Sequence, residues 1–275
     1  MAVESERPLP YPSRDRIGAL TALILIAYAL IRVVTLPTLE AELALLGLLV
    51  PLSIDVRVIM LSLASILAAT GALWVVQSHP LARIRNPEYP IGLLPGLAAL
   101  GMGATLNQLP VGSAWLIGLI FAGGLLAAVL YAEFVVFDER DPRAHGAMAG
   151  LRSLGIVLVV GVAFAALTSG LRAVFSVPAI FAASTTVCWR SLKLEAAREA
   201  VWPYSIASGL IASQIVWGLH YWPARPMQVA LVVGLTTYVA IGLLVALLRK
   251  TLSLRIAYEF AGVSLLVLAG VLFLA

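Results

Sequence analysis

Charge is what this chain has least of. Only 12% of its residues are Asp, Glu, Lys or Arg, while 61% are hydrophobic. Soluble domains carry about 25% charged residues, so roughly half the charge needed to cover a water-facing surface is missing. Lysine is almost absent: Lys193 and Lys250 are the two, and the other 16 of 18 basic residues are Arg. Both lysines fall at or beyond the ends of apolar runs, which excludes a retinal-type Schiff base in mid-membrane. The single cysteine, Cys188, excludes an internal disulfide and a multi-thiolate metal site. No Walker loop, zinc-protease helix, nucleophile elbow or glycine-rich dinucleotide fingerprint is present. The net charge of +4 is scattered between apolar runs, without the clustered basic patch and aromatic platform of a nucleic-acid-binding surface. No nucleic-acid partner is expected.

What the chain does have is long, continuous apolar runs. A bilayer core is crossed by about 20 apolar residues in a helix, and in hydrocarbon only helices or closed barrels satisfy their own backbone. Barrel strands would alternate over about 10 residues, and these runs do not. The runs predict an all-α, polytopic transmembrane bundle of about nine spans, near 17–35, 56–77, 89–107, 113–136, 151–169, 173–189, 201–219, 227–248 and 255–274. Residues 1–16, with three prolines and both signs of charge, read as a short disordered tail before the first span; residues 17–275 read as one membrane domain. The stretch 39–54 holds an eight-residue apolar run, Leu43 to Val50, between acidic residues and Pro51. As a helix that run would cover only about 12 Å, so it is expected to be an amphipathic or re-entrant segment on the outer face. The connection Ser169-Gly170-Leu171-Arg172 is the shortest boundary.

Basic residues favour the cytoplasmic side of short loops. With the N-terminus inside, Arg7, Arg14, Arg16, Arg83, Arg85, Arg140, Arg143, Arg152, Arg190, Lys193, Arg198, Arg249, Lys250 and Arg255 lie inside, and Arg32, Arg57, Arg172 and Arg225 outside, a split of 14 to 4. Making 39–54 a tenth span lowers the best split to 12 to 6. All six tryptophans fall near span ends, the headgroup level that Trp favours. Nine spans with the N-terminus in the cytoplasm of a bacterial inner membrane is the expected topology. Ser205, Gly209 and Ser213, Gly92 with Gly96, and Ala99 with Gly103 repeat every four residues, the spacing at which small side chains let helices approach closely.

Ionisable groups inside a span are costly and therefore functional candidates. Glu133 and Glu259 each fall about one turn from an inner span end, where Arg140 or Arg255 could pair with them, and they are expected to form one site. Asp138 and Asp141 could hold Mg²⁺ beside a lipid phosphate, although both also suit the start of the fifth span. His220, beside Tyr221 and Trp222, reads as an interfacial residue more simply than as a pigment or metal ligand. The three histidines give no pair at matched depth for bis-histidine haem ligation. Gln214 should seek a partner across a helix interface, with Thr236, Thr237 and Tyr238 as candidates. No metal ligand set, and no particular cofactor, follows from these residues.

Several segments together carry a resemblance: His79-Pro80; Leu106-Asn107-Gln108-Leu109-Pro110 with Trp115; Ala132-Glu133 then Asp138; Gln214 and Trp217 to Pro223; Tyr238 and Glu259. Over about residues 75–260 this ordered set resembles domain-of-unknown-function families of bacterial polytopic membrane proteins. The resemblance implies a multi-span helical bundle and supplies no activity. Short loops and a polarity-poor interior favour a non-enzymatic accessory or scaffold subunit of a membrane assembly, its partners membrane lipids and other membrane subunits. The alternatives are a carrier of a lipid- or quinone-like molecule, and a cytoplasmic-face enzyme acting on a lipid phosphate.

Overall fold

A computed structural model describes residues 10–33, 38–45, 48–84, 87, 90–138, 140–168, 173–195 and 200–273. Their elements run α1 (Arg14–Val33), β1 (Thr38–Leu45), β2 (Leu48–Asp55), α2 (Val56–Val76), a 3-10 turn (Pro80–Arg83), α3 (Pro90–Gln108), α4 (Ser113–Val136), α5 (Ala144–Thr168), α6 (Ala173–Glu195), α7 (Trp202–Leu219), α8 (Pro226–Leu248) and α9 (Leu254–Phe273). Among the described residues these are nine α-helices, one for each expected span, and seven of them (α2 to α6, α8 and α9) are long and apolar enough to cross a membrane. The chain is a multi-pass membrane protein.

The other two helices fall outside that set for identifiable reasons. Arg14, Asp15, Arg16 and Arg32 sit at the ends of α1, and Ser205, Ser208, Ser213 and Gln214 dilute the apolar content of α7. Most boundaries lie within three residues of expectation. α5 instead begins at Ala144 rather than 151, and α6 runs on to Glu195, because Ala, Leu and Met continue the helix past the apolar window. α1 starts at Arg14, so the tail is shorter than expected.

Within the stretch 39–54 the described residues depart from helix. Thr38–Leu45 and Leu48–Asp55 are two antiparallel strands, paired from Thr38↔Asp55 to Leu45↔Leu48. Each strand has eight residues, a normal strand length, and pairing satisfies the backbone that an isolated extended run would leave open. The connection 169–172 lies outside the described residues.

The chain divides into two compact units, residues 1–147 and 148–275. In the first, Leu20, Ile24, Tyr28 and Ile31 form one face of α1 and pack with Leu61, Ala64, Ala68 and Ala72 of α2. Gly92 and Gly96 bring α3 onto α2: a Cβ on Gly96 would lie 3.2 Å from the Ser65 carbonyl, and one on Gly92 would strike that of Ala69. The Ser65 hydroxyl donates to the Gly96 carbonyl at 2.8 Å and Tyr28 to that of Ala99 at 2.5 Å. Two arginines cap neighbouring helices, whose last carbonyls have no partner of their own. Arg16 donates to Trp74 O of α2 at 2.6 Å, and Arg32 to Asn107 O and Leu109 O beyond α3 at 3.1 and 2.8 Å. Sixteen residues apart, they bracket about 24 Å of helix. The turn into α4 needs Gly112, whose φ of 157° is a backbone essentially reserved for glycine.

In the second unit, Ser205, Gly209 and Ser213 face inward as their spacing predicts. A Cβ on Gly209 would collide with Thr185 and lie 2.9 Å from the Phe181 carbonyl of α6. Gly234 of α8 receives Val160 of α5, and Gly242 receives the Phe260 ring of α9.

Candidate functional site

The densest polar cluster of the first unit lies where α2 ends and α4 gives way to α5. His79 follows α2, and its Nδ1 accepts from Leu81 N at 3.2 Å, capping the Pro80–Arg83 turn. The ring is 2% exposed, with Phe134 and Phe137 of the α4 end at 4.7 and 5.4 Å. Since Nδ1 is the acceptor, the neutral ring carries its proton on Nε2, which is buried without a hydrogen-bond partner. Burial pushes the His79 pKa below 6.5, against the opposing pull of Asp138 and Asp141.

Asp138 and Asp141 shape the turn before α5. Asp138 Oδ1 accepts from Arg140 N at 3.0 Å and Asp141 Oδ1 from Arg143 N at 2.8 Å. Both act in the turn ahead of α5, which begins at Ala144, and not at the helix start itself. Asp141 is also in a salt bridge: Arg143 Nη2 lies 2.6 Å from Oδ2 and Nε 3.0 Å from Oδ1. That bond holds the Asp141 carboxyl below its ordinary value against its own burial, and raises the Arg143 guanidinium.

Arg143 does more than balance Asp141. Its Nη1 donates to Tyr131 Oη of α4 at 2.8 Å and its Nη2 to Pro10 O at 3.0 Å. The guanidinium also lies over the Tyr11 ring at 4.9 Å. One side chain thus ties the segment before α1 to α4 and to the turn before α5. Nothing local in the sequence marks it, because Pro10 is 133 positions away.

The remaining candidates fall in different units. Glu133 is 1% exposed inside the first unit and is engaged, not free. Glu259 is in the second unit, its side chain 67% exposed and 3.7 Å from Arg255 one turn earlier. The expected Arg255 partner is there; the expected burial holds for Glu133 alone. Gln214 requires a correction. It lies on an exposed face of α7, while Thr237 of α8 is 3.3 Å from Ser184 of α6, so the buried pairing runs between hydroxyls. Ser205, Ser208 and Ser213 take the inward face of α7, which turns Gln214 outward. His220 follows the last residue of α7, exposed, with its ring 5.9 Å from Tyr221.

A further charged node lies in the second unit. Glu195, at the end of α6, accepts from Arg152 of α5 through one carboxylate oxygen and from Arg249, just past α8, through the other. Its side chain is 12% exposed. Along the same face of α6, Ser191, Cys188 and Ser184 are fully buried, with Ser205 and Ser208 of α7 in reach of the thiol. The seam is a file of hydroxyls leading to an ion pair shared by three helices. An expected end of α6 at 189 had placed Glu195 in a loop, which hid it.

Chemically, both nodes bind helix ends together, with carboxylates already saturated by guanidinium donors. Among the described residues no group of three or more His, Cys, Asp or Glu is placed to hold a metal ion. No curated protein and no solved structure matches the chain. Residues 36–274 match the family described as "Protein of unknown function (DUF5656)", and the chain belongs to it.

Proposed function

We propose that this protein is a non-enzymatic scaffold or accessory subunit of a membrane assembly, seated in a bacterial inner membrane with its N-terminus in the cytoplasm and its C-terminus outside. The observation that carries the proposal is α9. Only 6% of its spanning window is buried, and it rests on α8 through Phe260, which lies against Tyr238 at 5.6 Å and Gly242. Tyr258, Leu265 and Leu266 are all more than 70% exposed. The same helix carries the exposed Arg255–Glu259 pair in its first turns. A helix of another subunit would cover the leucines and give the ion pair polar company. The internal ion pairs at Asp141 and Glu195 support the same reading, since their carboxylates are committed to holding helices.

Mild-detergent extraction from native membranes, with mass spectrometry of what co-purifies, tests the function. A partner in fixed stoichiometry is expected; a chain that purifies alone at every detergent strength contradicts it. Orientation follows from the 14-to-4 distribution of basic residues. A reporter active only outside the cytoplasm gives signal when fused after Ala275 and none when fused after Arg85. The reverse pattern rejects the topology.

A further inference from the structure

Tyr11, Pro12, Arg14, Ile17 and Gly18, with Tyr131 of α4, line an open groove of about 710 Å³ in the first unit. That volume is in the range of small-ligand sites, roughly 300–1,000 Å³. Of these six residues, Arg14 alone carries a formal charge. Arg14, Ile17 and Gly18 lie on one face of α1, since helical positions three and four apart are neighbours. The groove is therefore cationic at the helix start and apolar one turn further on.

Tyr131 supplies the second polar contact, and its state is set by Arg143. Because Arg143 Nη1 donates to Tyr131 Oη at 2.8 Å, the phenol oxygen is the acceptor there and its own O–H is left to donate elsewhere. Arg143 itself is already neutralised by Asp141, so Arg14 is the cation the groove offers. Tyr11 is 71% exposed at the rim, and Tyr131 lies two turns or less from the end of an apolar spanning helix, the depth at which tyrosine meets headgroups.

We infer that this groove binds the phosphate-bearing headgroup of an anionic membrane phospholipid. The phosphate lies between the Arg14 guanidinium and the Tyr131 hydroxyl, and the start of an acyl chain runs over Gly18 and Ile17. The occupant is a lipid because the polar and apolar ends of the groove are ordered along a helix that enters the membrane. This site is independent of α9 and of the scaffold role.

The test is native mass spectrometry of the full-length protein in detergent, titrated with phosphatidylglycerol or phosphatidylcholine of the same chain length. Phosphatidylglycerol is expected to bind about tenfold more tightly, and Arg14→Gln to lower that affinity to the phosphatidylcholine level. Tyr131→Phe gives a smaller loss. A Cβ on Gly18 meets nothing within 4 Å, so the space beside it is open and Gly18→Phe is expected to obstruct the groove and block binding at an unchanged unfolding temperature. Equal affinity for the two lipids, or wild-type binding in both Arg14→Gln and Gly18→Phe, overturns the inference. Displacement of phosphatidylglycerol by equimolar glycerol phosphate would assign the groove to a soluble phosphate and overturn the lipid occupant.

Discussion

Replacing Arg143 by Met should destabilise the first unit more than replacing Asp141 by Asn, although the two substitutions break the same ion pair. The Asp141 side chain is 1% exposed and that of Arg143 25%. Arg143→Met strands a buried carboxylate, a loss of about 3–5 kcal/mol by analogy with broken buried pairs. It also removes the bonds to Tyr131 Oη and Pro10 O. Asp141→Asn keeps a side-chain oxygen for Arg143 N and leaves behind a cation that can turn toward water, so about 1–2 kcal/mol is lost, the scale of one hydrogen bond to a charged group. The double variant Asp141→Asn with Arg143→Met should be more stable than Arg143→Met alone, because no charge is stranded. Thermal unfolding of the four proteins in one detergent, arranged as a double-mutant cycle, measures this. Additive losses, or a double variant weaker than both singles, would refute the idea that the pair acts as a unit.

Two other expectations are independent of that pair. His79 has a folded-state pKa below its ordinary 6.5, so the unfolded chain binds the proton first as pH falls. Stability is therefore held in full above 6.5 and lost as pH falls from there through the folded value; His79→Gln should flatten that part of the profile, and an unchanged profile would contradict it. Gly92→Ala should cost about 1–3 kcal/mol by overpacking, since its Cβ would strike the Ala69 carbonyl, whereas Gly150→Ala, with nothing within 4 Å, should be neutral or slightly stabilising; equal unfolding temperatures would contradict the close approach of α2 and α3.

The fold was legible in the sequence where one physical quantity decides the outcome. The length of an apolar run fixes where a spanning helix can be, and all nine expected spans are helices. Small residues four apart marked the faces by which α3 meets α2 and α7 meets α6, because close approach depends on side-chain size alone. That Asp138 and Asp141 lie just ahead of α5 was legible, although the sequence suggested the helix start itself and each instead accepts from the N–H two positions on, in the preceding turn. Contacts that need the third dimension were not. Arg143 reaches Pro10, Arg32 the end of α3, and Arg249 the end of α6, and no local pattern encodes such distances. Gln214 was misread because polarity says that a residue wants a partner and not which way its helix turns. The strand pair at 38–45 and 48–55 was missed because its apolar run was measured only against the length of a helix.

Docking of another subunit on α9 is read from the size of the native complex with that helix altered. Leu265→Trp together with Leu266→Trp keeps α9 apolar, and therefore inserted, while reshaping the face that both leucines expose. In mild-detergent native electrophoresis the wild-type chain should migrate in a complex well above its own 29.1 kDa plus micelle. The double variant should migrate as the lone chain at an unchanged unfolding temperature. A wild-type chain that already migrates alone, or a variant that stays in the complex, would contradict the account.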